Sequence, residues 1–490
     1  MKYQNLATTM RLVKMALISN IYSDKTYTVP VIVSQQGEGK SESLEYNLTS
    51  SLGCSVIKLD GGQLKECDLV GMPLLTKKDD GTYEEKFAPH WSVKRIQDLE
   101  RYYFNYMRTK GLLNGRITME EKTQNIIIKD KDGNVTHNIP CKSEVERIID
   151  GDENRYSLNH LPREIQRELL ESGEIKMVVY FLDEMNSSGE EVLKEEANFL
   201  LNRRIQGYKL PFFVFTVSAI NPSSSNSSFN RTHFDPSLQD RILKIHLKTS
   251  ADEWLSDAVS RGLDNPYSAA LYALSKDSDE VLRMQGEELE DQDKMEPSLR
   301  SHTMCSHLFN MREKFLKSPF MANEDLSEID DDIKILIEGK IGEAATTALY
   351  SQMSSDKDNY VSFKECFLQK GTKISKEIVE KLQSQSSATK IYTVNSYVIN
   401  MMRYLETIKS KADFDKGNEL EEIFFNKFSQ FEDIITKNGT NKTILTLFYK
   451  KLKNEAISNK YKMVDTSLFI PFLKYLQDVL TISDISNGRR

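Results

Sequence analysis

The chain has 490 residues and a formal net charge of −8, with 39% hydrophobic and 28% charged residues. That much apolar material supports packed cores and excludes a disordered chain, while the acidic balance argues against a dedicated duplex-DNA binder, whose domain is usually basic. At roughly 100–200 residues per domain, the length allows two to four domains.

The cysteines Cys54, Cys67, Cys141, Cys305 and Cys366 are odd in number and scattered, with no CxxC pair. This argues against a disulfide framework or a structural zinc site and fits a reducing cytosol. The N-terminal stretch has no sustained apolar segment and no small-residue cleavage site, so no signal peptide is expected. No apolar run reaches the roughly 18 residues of a membrane span, and the expected location is cytoplasmic, without a membrane partner.

In chain order, residues 1–25 place Leu6, Met10, Val13 and Leu17 at helical spacing. Thr26 to Val33 is apolar and β-branched, a buried strand, followed by a glycine turn and a helix from Lys40 to Leu52. Cys54 to Asp60 reads as the second strand. The order strand, loop, helix, strand opens a parallel α/β sheet. Residues 95–170 are polar and resemble an insertion. Within it, Asn125–Asp130 and Asn134–Ile139 flank an Asp132-Gly133 turn as a hairpin. KMVVYFLDE is the third strand, Glu190 to Arg203 a helix, Phe212 to Ile220 the fourth strand and Ile242 to Leu247 the fifth. Beyond residue 250 helical patterns run to the end. The lysine-rich stretch from Lys437 to Lys462 reads as a solvated helical face.

Five groups of residues carry chemistry. Ser34 to Ser41 (SQQGEGKS) fits the phosphate-loop pattern GxxxxGK[ST] except that Ser34 stands for the first glycine. Its glycines let backbone N–H groups turn toward phosphate oxygens, and the helix N-terminus adds its positive end. Gln36, Gly37, Glu38, Gly39, Lys40, Ser41 and Glu42 are therefore candidate nucleotide-binding residues. Lys40 would reach the β/γ-phosphates, Ser41 would ligate Mg²⁺, and Glu38 is expected to point to solvent. The third strand ends in Asp183 and Glu184: the first is suited to hold Mg²⁺, the second to polarise an attacking water. Asn221, at the tip of the fourth strand, would face the γ-phosphate if that strand packs beside the loop strand. In FDPSLQDRI, Arg241 is a candidate to project into a neighbouring subunit's nucleotide; the competing reading is a salt bridge to Asp235 or Asp240. Arg300, in PSLR at a helix start where Pro297 suits the first turn, is a candidate to reach the nucleotide from a helical lid.

GEGKS, LDE, the sensor-like Asn, DPSLQDR and PSLR occur in one order. The chain thereby resembles the AAA+ superfamily, in particular its MoxR-like and dynein-related branch. The most similar stretch is LDEMNSSGEEVLKEEANFLLNRRIQGYKLPFFVFTVSAINP, with its "DE-N" strand end, "LL-R-I-G--LP" hairpin and "NP" close; DLVGMP resembles the segment after the second strand. The resemblance covers residues 27–305, less the insertion. It implies an α/β P-loop NTPase sheet over residues 1–250 and a helical lid over 251–345; the helical patterns over 346–490 lie outside the resemblance, as a departure from the family, and read as an additional all-helical domain. It also implies ATP and Mg²⁺ as cofactors. Lys40 and Ser41 look like Walker A residues, Asp183 and Glu184 like Walker B, Asn221 like sensor 1, Arg241 like the arginine finger and Arg300 like sensor 2. The resemblance further implies a homo-oligomeric ring, commonly hexameric, that hydrolyses ATP between subunits and remodels or translocates a partner protein, with an adaptor beside it in many members. GTYEEKFAPHW and residues 95–170 are candidates for pore-facing or partner-contacting elements. Two other readings stay open: a nucleic-acid motor, and a nucleotide-binding scaffold without turnover. No base-reading element separates ATP from GTP.

Overall fold

A computed structural model describes residues 3–23, 27–65, 72–77, 81–88, 90–123, 125–139, 157–205, 208–221, 239, 242–277, 297–356, 359–369, 371–407 and positions 426, 427, 430, 431, 433 and 434. The chain divides into two compact units, Met1–Lys248 and Thr249–Arg490.

The first unit opens with α1 (Leu6–Tyr22), whose N-cap Asn5 accepts a hydrogen bond from the Thr8 amide at 2.8 Å. Then come β1 (Val29–Val33), α2 (Lys40–Leu52), β2 (Ser55–Asp60), the hairpin β3 (Met72–Lys77) and β4 (Tyr83–Ala88), and α3 (Trp91–Thr109). A small antiparallel sheet follows, β5 (Ile117–Met119), β6 (Ile126–Lys129) and β7 (Val135–Ile139), then α4 (Arg163–Glu171), β8 (Val178–Asp183) and α5 (Glu190–Asn202). The short pair β9 (Arg204–Ile205) and β10 (Tyr208–Lys209) leads to β11 (Val214–Ile220) and β12 (Ile242–His246).

Five strands form one parallel sheet in the order β12-β1-β11-β8-β2. Its three inner strands are buried along their whole length, as expected of a parallel sheet covered on both faces. Strand alternation sorts their side chains. Ile32, Phe181, Val217 and Ile245 pack with Met10, Val13 and Leu17 of α1 and Leu44 and Leu48 of α2. Val31, Val33, Tyr180 and Leu182 turn the other way, into a core with Ile96, Phe104 and Met107 of α3, Leu169 of α4 and Leu200 of α5. Each such side chain contributes about 1.5–3 kcal/mol of burial. Pro30 is tolerated in β1 because pairing with β11 starts only at Val31–Ser218. This is the parallel α/β sheet that the sequence suggests.

The stretch 95–170 holds more than the expected hairpin. Its first part lies in α3, whose buried face is integral to the main core, and β5 adds a third strand to the hairpin β6–β7. The hairpin β3–β4 is also new: its residues pair in antiparallel register from Met72–Ala88 to Lys77–Tyr83.

The second unit is helical among its described residues: α6 (Ala251–Ser260), α7 (Pro266–Asp277), α8 (Leu299–Asn310), α9 (Arg312–Leu316), α10 (Ile329–Ile341), α11 (Glu343–Asp356), α12 (Phe363–Phe367), α13 (Lys376–Ser384) and α14 (Ser387–Thr407). Its core joins Trp254, Leu255, Tyr267, Ile333, Ile337, Leu349, Tyr392 and Ile399. Half-buried Asp264 accepts hydrogen bonds from Tyr360 at 3.0 Å, Tyr392 at 2.8 Å and Asn400 at 2.9 Å, tying the loop before α7 to α14. Helix α8 starts at Leu299, two residues after the Pro297 that the sequence places in its first turn. Ser298 is the N-cap, sharing a capping box with Ser301, so Pro297 precedes the helix and is not in its first turn. No described helix is long and apolar enough to cross a membrane.

Candidate functional site

The loop between β1 and α2 turns on Gly37 and Gly39, whose φ of 78° and 76° lie in the left-handed region that favours glycine. Gly39 is the N-cap of α2 and supplies no side-chain cap. A helix N-terminus above a glycine turn, with no capping side chain over it, makes an anion seat. Ser34, in the place of the first motif glycine, avoids positive φ; its amide donates to the Ile220 carbonyl at 3.2 Å. The serine is therefore compatible with the turn.

Lys40 is buried, with 6% exposure. Its ammonium donates to the Ser34 carbonyl at 3.1 Å, to the Ile220 carbonyl at 3.5 Å and to Asn221 Oδ1. Parallel pairing of β11 with β1 produces the last contact, because it carries the tip of β11 beside the loop. Asn221 is itself fixed by Asn186, whose Nδ2 donates to the Asn221 carbonyl at 2.6 Å and whose Oδ1 accepts from the Asn221 amide at 3.1 Å. Its backbone is clamped and its side chain points at the lysine.

The acids lie on β8, separated from β1 by β11. Ser41 Oγ donates to Asp183 Oδ2 at 2.5 Å, so the helix after the loop and the end of β8 meet directly. Asp183 is 5% exposed and receives a second partner, the Lys58 ammonium, 2.9 Å from the same oxygen. Glu184 has φ 50° and ψ 36°, a left-handed conformation that costs of order 1–3 kcal/mol in a residue with a side chain. It aims the carboxylate back at the loop, where Gln36 Nε2 donates to Glu184 Oε1 at 3.5 Å. Gly61 makes this possible. Its amide donates to the Asp183 carbonyl at 2.8 Å, and a Cβ there would stand 2.6 Å from Ser188 Oγ and 2.9 Å from the Glu184 carbonyl. Asp60 pairs with Asp183 in register. Burial, then the charges of Glu184 and Asp183, push its carboxyl above the usual range, against the Gly62 amide and Lys58.

The arrangement thus brings together Gln36, Gly37, Gly39, Lys40, Ser41, Asp183, Glu184 and Asn221. Glu42 lies on the first turn of α2. Glu38 departs from expectation: it is 5% exposed, so the loop folds over it and does not turn it out to water. Arg300 is exposed on α8, in the second unit. Arg241, with Asp235 and Asp240, lies outside the described residues. Lys58, Asp60 and Gly61 do not stand out in the sequence; the signal for them is the charged end of β2 (KLDGG), which gains meaning only once β2 pairs with β8. Asn186 is visible as the last letter of the "DE-N" pattern, but its clamp on Asn221 is not.

The donor set suits a small hard cation. A hydroxyl and a carboxylate oxygen face each other, and an ammonium already stands at that oxygen as a cation would, so Ser41 and Asp183 fit the oxygen ligation Mg²⁺ requires.

No protein-family profile and no curated protein matches the chain. Among solved structures it is similar to the Orc1 protein of Aeropyrum pernix in complex with DNA, at 10% identity and a TM-score of 0.27, over 92% of this chain and 83% of that one. A likeness of that strength carries neither a family nor a ligand to this chain.

Proposed function

We propose that the chain is an AAA+-type, MoxR-like ATPase that hydrolyses ATP between the subunits of a homo-oligomeric ring, of hexameric type, and remodels or translocates a partner protein. The observation that carries this reading is the convergence of Lys40, Asn221, Ser41 and Asp183 around a helix N-terminus without a side-chain cap. In it, the loop amides and Lys40 bind the β/γ-phosphates. Ser41 and Asp183 hold Mg²⁺, which supplies charge neutralisation of the phosphates. Glu184 orients and deprotonates the attacking water, and Asn221 holds that water while its other partner, Lys40, turns to phosphate. Arg241 acts from a neighbouring subunit and Arg300 from the helical region after residue 250 as a lid, with residues 346–490 as a further helical domain. The hairpin β3–β4 exposes Leu75 and Tyr83, at 75% and 66%, which suits a partner-contacting element.

Glu184→Gln tests the reaction: the variant retains ATP and turns it over at least about a hundredfold more slowly, the usual scale of a lost general base. Unchanged turnover removes Glu184 from the mechanism.

A second reading, a nucleic-acid motor, draws on α3. Trp91 and Tyr102 are 54% and 57% exposed there, and Lys94, Arg95 and Arg108 are exposed beside them, a combination suited to stacking bases along a phosphate chain. ATPase stimulation by single strands with a steep salt slope favours that reading; stimulation by protein alone favours the first.

A further inference from the structure

Strands β8 and β11 lead to the two water-facing groups of the proposed reaction, yet their pairing ends before either. The registered pairs run from Val214–Val178 to Ser218–Leu182, and Glu184 and Asn221 both lie past the last of them. On its other side β11 pairs with β1 only as far as Val33–Ile220. Among the described residues, neither neighbouring strand pairs with the Asn221 backbone.

Asn186 takes over at that point. Its side-chain amide exchanges two hydrogen bonds with the Asn221 backbone, Nδ2 donating to the carbonyl at 2.6 Å and Oδ1 accepting from the amide at 3.1 Å. This is the reciprocal pair that a residue of an adjacent antiparallel strand makes. A backbone N–H only donates and a carbonyl only accepts, so the two partners fix which way the Asn186 amide faces. Aspartate would keep the acceptor and lose the donor; glutamine would carry the amide one methylene too far. Both residues are buried, so solvent does not stand in for the pair. Asn186 is itself anchored in the turn Met185–Ser187. There the Ser187 amide donates to the Glu184 carbonyl at 2.8 Å, and the Ser218 hydroxyl reaches the Leu182 carbonyl at 3.1 Å and the Met185 sulfur at 3.4 Å.

We infer that Asn186 is the positioning residue for Asn221: by holding the Asn221 backbone from this turn, it aims the Asn221 side chain at the Lys40 ammonium, where the proposed reaction uses it. The inference rests on the hydrolysis proposed above, in which Asn221 holds the attacking water. Asn186 touches neither nucleotide nor water in that reaction and acts through Asn221.

Steady-state turnover and equilibrium ATP binding of the full chain, for Asn186→Ala, Asn221→Ala and the double variant, test this. The loop amides and Lys40 hold the phosphates, so Asn186→Ala changes ATP affinity less than about threefold. It lowers kcat roughly ten- to hundredfold, the scale of a reacting group displaced by about 1 Å, and Asn221→Ala lowers kcat at least as far. In the Asn221→Ala background the same Asn186→Ala substitution costs less than about threefold more, because the side chain it positions is gone. Should Asn186→Ala fail to fold, Asn186→Asp keeps the shape and the acceptor, sets a carboxylate oxygen against the Asn221 carbonyl and gives the same pattern. Wild-type turnover in these variants overturns the inference. So do losses that add in full to those of Asn221→Ala, or that fall on ATP affinity as heavily as on kcat, which mark a merely structural residue. Hydrogen exchange of the Asn221 amide needs no nucleotide and becomes at least about tenfold faster in Asn186→Ala; unchanged exchange overturns the inference whatever the turnover. A wild type without turnover that still shows this exchange difference refutes the proposed hydrolysis and not the hold of Asn186 on Asn221.

Discussion

Glu196 on α5 is fully buried, and neither carboxylate oxygen makes a well-formed hydrogen bond. Burial pushes its pKa from 4.5 to about 8, with the Ser188 hydroxyl beside it pulling the other way. A raised carboxyl pKa means the folded state holds a proton that the unfolded chain has released. Stability is therefore full below about pH 4.5 and falls as pH rises toward 8. The slope approaches ~1.4 kcal/mol per pH unit, which amounts to ~4–5 kcal/mol over the window. Glu196→Gln removes this titration, so between pH 5 and 8 its stability falls by ~4–5 kcal/mol less than that of the wild type. The chain has two tryptophans, Trp91 in the first unit and Trp254 in the second. A Trp254→Phe background makes fluorescence report the first unit alone, and urea midpoints against pH give the comparison. Parallel curves with and without the Glu196→Gln substitution would refute the argument that this acid folds in its neutral form.

Gly61→Ala forces a Cβ against backbone as well as Ser188 and shifts the Glu184 turn. It costs about 1–3 kcal/mol of stability in the first unit by denaturant titration and lowers turnover more than nucleotide affinity. Full activity in that variant would show that the turn does not depend on its contact with Gly61. Lys58→Met removes the ammonium that competes for Asp183 Oδ2, so Mg²⁺ binds a few-fold more tightly; Lys58 is 43% exposed, which keeps the effect small. Looser Mg²⁺ binding would make Lys58 a support of the site.

What can be read from the sequence is what repeats locally. The apolar runs of β1, β8 and β11 announce strands buried on both faces, and the glycines before Lys40 announce a turn that few other residues can make. Asn221 is legible because its position at the end of a strand has one meaning if that strand pairs with β1, and it does. The features that escape depend on distant pairing. Lys58 and Asp60 are ordinary edge-strand charges until β2 docks in register on Asp183. Gly61 is a plain turn residue until the Glu184 carbonyl approaches it. Helix α3 is hidden by its composition: WSVKRIQDLERYYFNYMRT is charged enough to read as an insertion, yet Val93, Ile96, Phe104 and Met107 form one buried face. Glu38 reads as solvent-facing on charge alone, a local argument that the closed loop overrides.

Equilibrium binding of ATP with and without Mg²⁺, for wild type, Lys40→Ala and Asp183→Asn, tests the central claim most directly. The account predicts Mg²⁺-dependent retention by the wild type, loss of nucleotide in Lys40→Ala, and loss of the Mg²⁺ dependence in Asp183→Asn. A wild type that holds no ATP, or a Lys40→Ala variant that holds it equally well, contradicts the account.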